Sequence, residues 1–145
     1  MRNSNVTSFT RTVMELDRAI NKYYFQIFKQ WGLTANGYLA LYTLHKSPRG
    51  MEPACLADEL GVQRQLVTAL INDFDRRGFI VKKENNKDHR RKFISLSRRG
   101  KLFTKDVMDH VLAADAEALS GFSQEELDRM MDFCRRYYER LPKIQ

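Results

Sequence analysis

The sequence predicts a mainly α-helical chain with one small β-hairpin. Apolar residues recur at steps of three and four through most of the 145 positions, the period of helices with one buried face. Only residues 79–83 and 92–96 read as strands, short apolar runs on either side of a polar tip rich in Asn, Asp and Lys. Gly or Pro punctuates the chain at 32, 48, 50, 53, 61, 78 and 121, with no internal repeat and no low-complexity linker.

The elements follow in order. Phe9, Val13, Leu16, Ile20, Tyr23, Tyr24, Ile27, Phe28 and Trp31 place one apolar stripe on a helix over residues 9–31, which Gly32 stops. Thr34 suits the cap of a second helix that buries Tyr38, Leu41, Tyr42 and Leu44 before the turn Ser47-Pro48-Arg49-Gly50. Pro53 fits the first position of a third helix ending at Leu60, and Gly61 supplies the tight turn that follows. A fourth helix from about Gln63 to Arg77 turns Val67, Leu70, Ile71 and Phe74 inward and Arg64, Gln65, Thr68, Ala69 and Asn72 outward, with Gly78 as its left-handed stop.

After the hairpin, Ser97 caps a fifth helix over 98–119 with a weaker stripe of Leu102, Phe103, Val107, His110, Val111 and Ala114. Ser123 and Glu126 have capping-box spacing, with Phe122 and Leu127 placed as a hydrophobic staple. Leu127, Met130, Cys134, Tyr137 and Leu141 then continue the stripe of a sixth helix.

Charge narrows the function. The net charge is +7, yet residues 76–101 alone carry eleven Lys or Arg against two acids, whereas residues 102–145 carry six against nine. A local basic stretch is what binding to a phosphate backbone calls for, because released counterions drive the association. No apolar run approaches the ~18 residues of a membrane span, so no membrane partner is expected. No secretory leader is seen and the two cysteines lie far apart, which points to a reducing cytoplasm. Cys55 and Cys134 read as buried structural thiols. His45, His89 and His110 make no spaced metal set with the cysteines or with Glu15, and no nucleophile elbow, glycine-rich phosphate loop or paired-carboxylate motif occurs, so neither a cofactor nor catalysis is expected.

A helix followed by a hairpin with a basic tip is the layout of a winged helix-turn-helix. Gln63, Arg64, Gln65 and Thr68 occupy the first turns of the fourth helix, the part that reaches base edges in a major groove. Arg90 is the candidate for the minor groove, with Asp88 two positions earlier to orient its guanidinium. Lys87, Arg91 and Lys92 are expected on phosphates, and Lys82, Lys83, Arg98 and Arg99 read equally as backbone contacts or charged surface. The aromatic cluster Tyr23, Tyr24, Phe28, Trp31, Tyr38 and Tyr42 has two readings, ordinary core or the lining of a cavity for a small aromatic or phenolic effector.

The collinear segments Gly32-Leu33-Thr34, Leu56-Ala57-Asp58-Glu59-Leu60-Gly61-Val62, Phe74-Asp75-Arg76-Arg77-Gly78-Phe79-Ile80, Asp88-His89-Arg90, Ile94-Ser95-Leu96-Ser97-Arg98-Arg99-Gly100 and Leu119 to Leu127 resemble the MarR family of bacterial transcription regulators. Family members often carry Ser or Thr at the start of the recognition helix, where this chain has Gln63, Gln65 and Leu66, so the usual side-chain cap is not expected. The resemblance implies one domain over 1–145, with a winged helix-turn-helix DNA-binding lobe at 33–101 and a helical dimerisation region formed by 1–32 and 102–145. It also implies a homodimeric, effector-responsive repressor on a pseudo-palindromic operator in double-stranded DNA. Apolar stripes on both terminal helices agree with a two-fold dimer. A winged-helix module that docks protein, and a ligand-blind activator or architectural factor, remain alternatives.

Overall fold

The computed structural model describes residues 2–84 and 92–143. Among these residues, six helices and one hairpin run in the order α1 (Arg2–Gln30), α2 (Ala35–Lys46), α3 (Pro53–Leu60), α4 (Arg64–Arg76), β1 (Ile80–Glu84), β2 (Lys92–Leu96), α5 (Arg98–Leu119) and α6 (Gln124–Arg140). The chain divides into two compact units at Asp109 and His110.

In the first unit, fully buried Leu41 and Leu44 of α2, Leu56 of α3, Val67 and Phe74 of α4, Ile94 of β2 and Val107 of α5 supply the core. Burying such side chains stabilises by about 1.5–3 kcal/mol each. Thr34 caps α2 by accepting from the Gly37 amide at 3.0 Å, and Pro53 opens α3 at a position where its missing N–H goes unneeded. Gly61 (φ 64°) and Gly78 (φ 73°) take the left-handed conformation that ends α3 and turns the chain out of α4.

β1 and β2 pair antiparallel, from Ile80 opposite Leu96 to Glu84 opposite Lys92. Phe79, expected in the first strand, instead sends its amide to the Phe74 carbonyl at 2.8 Å, so it finishes the helix stop and the ladder begins one residue later. Met51 bridges to Ile94 on the other side of β2 and ties the hairpin to the α2–α3 connection. α1 starts seven residues before the apolar stripe does. Its first turns are polar, and helical hydrogen bonding extends past the reach of the periodic signal.

Of the stripe expected on α1, Ile27 and Phe28 are buried while Val13, Leu16, Ile20 and Tyr23 are exposed. In the second unit, the Ser123–Glu126 capping box opens α6 with both of its reciprocal bonds, and no residue of that helix is buried. Cys55 and Cys134 are exposed rather than buried. On α3 the inward positions go to Leu56 and Ala57, beside Cys55, and Cys134 lies on a helix that buries nothing. Among the described residues, no helix is long and apolar enough to cross a membrane.

Candidate nucleic-acid interface

The turn between α3 and α4 is held by backbone bonds from Gly61 to Asp58 (3.2 Å) and from Val62 to Ala57 (3.1 Å). It delivers Gln63 in an extended conformation as the N-cap of α4, and among the described residues its side chain makes no capping hydrogen bond. The Gln63 side chain therefore does not cap the first amides of α4, as expected for Gln in place of Ser or Thr.

Val67, Ile71 and Phe74 face inward, and Leu70 is half-buried. Gln63, Arg64, Gln65 and Thr68 are all exposed at the start of the helix. The Thr68 hydroxyl donates to the Arg64 carbonyl at 3.0 Å, which fixes its rotamer and leaves its oxygen available as an acceptor. Two amides, a guanidinium and a hydroxyl thus share a polar surface backed by a packed helix.

The far end of α4 is pinned more tightly. Asp73 meets Arg76 at 2.5 Å and Arg77 at 3.4 Å. Burial alone would raise its carboxyl pKa, but hydrogen bonds and charge from Arg76 and Arg77 outweigh that and hold it below the usual value. Lys82 of β1 reaches Asp75 at 2.6 Å, so this lysine links the hairpin to α4. Lys92, the first residue of β2, is exposed opposite Glu84. Lys87, Asp88, Arg90 and Arg91 lie outside the described residues.

The aromatic cluster forms a ladder with one departure. Tyr23 meets Tyr24 (5.6 Å between centroids), Tyr24 meets Phe28 (5.9 Å), Phe28 stacks on Tyr38 (4.6 Å) and Tyr38 approaches Tyr42 (6.2 Å). Trp31 turns instead to Phe103 at 5.8 Å. At the Tyr42 end, Lys46 lies 5.4 Å over the phenol ring, beside a recess of about 310 Å³ also lined by Thr43, Ser47, Met51 and Glu59.

Sequence reasoning missed the network around Arg77, whose guanidinium reaches the Trp31 and Gly32 carbonyls and the Phe79 and Phe103 rings. Its partners lie up to 46 residues away, beyond any local pattern. Among the described residues no group of three or more His, Cys, Asp or Glu comes together as metal ligands.

The sequence model of the MarR family matches residues 31–91, the stretch from the end of α1 through α2, α3, α4 and β1. Residues 31–91 are of the MarR family. The transcriptional repressor MprA of Escherichia coli (strain K12) is 23% identical to this chain over 137 residues, covering 94% of this chain and 78% of that protein. The fold agrees with the crystal structure of a MarR family transcription regulator at TM-score 0.82, with 21% identity over 97% of this chain and 94% of that one. It also agrees with a single-residue mutant of Staphylococcus aureus MepR bound to an oligodeoxyribonucleotide, at TM-score 0.64 and 18% identity over 92% and 98% of the two chains.

Proposed function

We propose that this chain is a sequence-specific, double-stranded-DNA-binding homodimer that represses transcription by occupying promoter DNA. The observation that carries the reading is the exposed set Gln63, Arg64, Gln65 and Thr68 on the first turns of α4, with the apolar face of the same helix buried. Guanidinium and amide groups there have the paired hydrogen-bonding capacity that guanine and adenine edges require. Lys87, Arg91 and Lys92 grip phosphates, and Arg90, oriented by Asp88, enters the minor groove. The MarR-type fold of an oligonucleotide-bound MepR and the likeness to the repressor MprA support the same reading.

Dimerisation rests on apolar side chains that neither terminal helix covers by itself. Leu16 and Ile20 on α1 and Met130, Phe133 and Tyr137 on α6 are exposed in the single chain. A two-fold pairing of the segments 1–32 and 102–145 buries such faces and presents two reading heads to a pseudo-palindromic site. A small aromatic or phenolic effector shifts the balance between head spacings by binding near Tyr23, Tyr24, Phe28, Trp31, Tyr38 and Tyr42. The ring ladder and the recess at Tyr42 support this part of the reading.

The test is a mobility-shift titration on genomic fragments, with salt raised from roughly 50 to 200 mM. Binding that falls steeply with salt, and that weakens in Arg64→Ala and Arg90→Ala, is the expected result. A response flat in salt favours a module that docks protein.

A further inference from the structure

Arg77 stands where three parts of the first unit meet. One terminal nitrogen donates to the Gly32 carbonyl at 2.9 Å and lies 3.4 Å from the Asp73 carboxylate. The other donates to the Trp31 carbonyl at 3.0 Å. The guanidinium lies 4.7 Å from the ring centroid of Phe79 and 5.1 Å from that of Phe103, and those two rings stack at 4.3 Å. Trp31 sets its own ring edge-on to Phe103.

As the C-cap of α4, Arg77 puts a cation at the negative end of the helix dipole, and its geometry does more. The carbonyls at the end of α1 are acceptors that the helix cannot satisfy from within. The planar fork of Arg77 serves two of them at once while its faces rest on aromatic rings, a combination that a lysine cannot reproduce. Side-chain exposure of 25% also sets Arg77 apart from Arg76, at 77%. The exposed neighbour is the one placed to meet solvent or phosphate.

We propose that Arg77 is a positioning residue that fixes the tilt of α4 against the end of α1, so that affinity for a duplex depends on Arg77 without its touching the duplex. The link runs further back along α1. The Phe28 carbonyl accepts from the Trp31 and Leu33 amides at 3.0 and 2.9 Å, and the Phe28 ring stacks on Tyr38. A displacement of the ring ladder therefore moves the two carbonyls that Arg77 grips, and with them the end of the recognition helix.

The inference rests on the DNA-binding reading, and the test separates the two. Trp31 is the only tryptophan, so its fluorescence reports the Arg77 contact without any DNA present. The full chain is compared with Arg77→Lys and Arg77→Met, using a duplex selected by the wild-type protein. Both variants are expected to shift Trp31 emission to the red and to weaken duplex binding by roughly fivefold or more, the low end of coupling between sites. The slope of log affinity against log salt stays at the wild-type value, because no phosphate contact is lost.

Wild-type emission in both variants overturns the proposal. Wild-type affinity in Arg77→Lys, with a slope lower by about one in Arg77→Met, overturns it in favour of a phosphate contact. Should Arg77→Met fail to fold, Arg77→Lys keeps the charge and the aliphatic stem and carries the test. A wild-type chain that binds no duplex at low salt overturns the functional reading and, with it, the positioning role of Arg77, while the Trp31 spectra still report whether the contact itself holds.

Discussion

Gly100 lies so close to Phe79 that a β-carbon on it would sit 2.0 Å from the Phe79 carbonyl oxygen. That carbonyl also accepts from the Ser97 amide at 2.9 Å, so the start of α5 is pressed onto the chain leaving α4. Gly100→Ala gains about 0.5–1 kcal/mol of helix propensity. It must also push two backbones apart, a strain of about 1–3 kcal/mol or more. The expected outcome is a net loss, read as a lower urea midpoint with unchanged slope. An equal or higher midpoint contradicts the close approach.

The Ser97 side chain joins the same corner by accepting from the Gly100 amide at 3.0 Å and donating to the Gly78 carbonyl at 2.6 Å. Ser97→Ala removes the cap of α5 and is expected to cost about 1 kcal/mol. Thermal unfolding measures it, and Ser97→Asp, which can still accept from the amide, should recover part of the loss.

Thr104 is 1% exposed, and its hydroxyl oxygen is buried with no hydrogen-bond partner among the described residues. Thr104→Val keeps the shape and removes the desolvated hydroxyl, so stability is expected to rise by about 1 kcal/mol. A destabilised valine variant in chemical denaturation would mean that the hydroxyl has a bonding role.

Asp73 gives acid sensitivity a defined sign. Its carboxyl pKa is held below the ordinary value in the folded chain because Arg76 and Arg77 outweigh the effect of burial. The stabilising contribution of the carboxylate is therefore present above the unfolded-state pKa and is lost as pH falls through the lowered folded-state value. Asp73→Asn should be less stable than wild type at neutral pH and lose less on acidification. Parallel acid-unfolding curves for the two proteins would rule Asp73 out as a source of that sensitivity.

Arg64 and Lys92 are expected to fail differently in DNA binding. Arg64→Ala should relax base preference at one position of the half-site, at a cost of about 1–3 kcal/mol. Lys92→Ala should weaken binding evenly across sequences and reduce the salt slope by about one. Selection from a randomised duplex library reads both effects, and an Arg64→Ala variant with unaltered preference would remove Arg64 from base reading.

Most of the fold was legible because its signals are local. Thr34, Pro53, Gly61, Gly78 and the Ser123–Glu126 box act within a few residues of themselves, and each helix boundary they mark lies where the pattern placed it. The early start of α1 was not legible, since a polar helix has no apolar period to read. The exposure of Cys55 is not legible from composition, because the average preference of cysteine for the interior says nothing about which side of α3 it falls on. The outward residues of α4 were legible from periodicity, whereas the Arg77 contacts join positions 31, 32, 79 and 103 and exist only once the chain has folded. Helical spacing puts Trp31 on one stripe with Tyr23 and Tyr24, but its ring turns toward Phe103 of α5.

β2 has neighbours on both sides, β1 along its length and Met51 at one point, while no strand among the described residues pairs with the outer side of β1. An open strand margin carrying Val81, 40% exposed, is a template for unwanted strand addition by another chain. Lys83 stands on that margin as an exposed charge that opposes such pairing, while Lys82 is held by Asp75. A neutral β-former in place of Lys83 would make the purified protein prone to aggregate, even with the Lys82–Asp75 link intact.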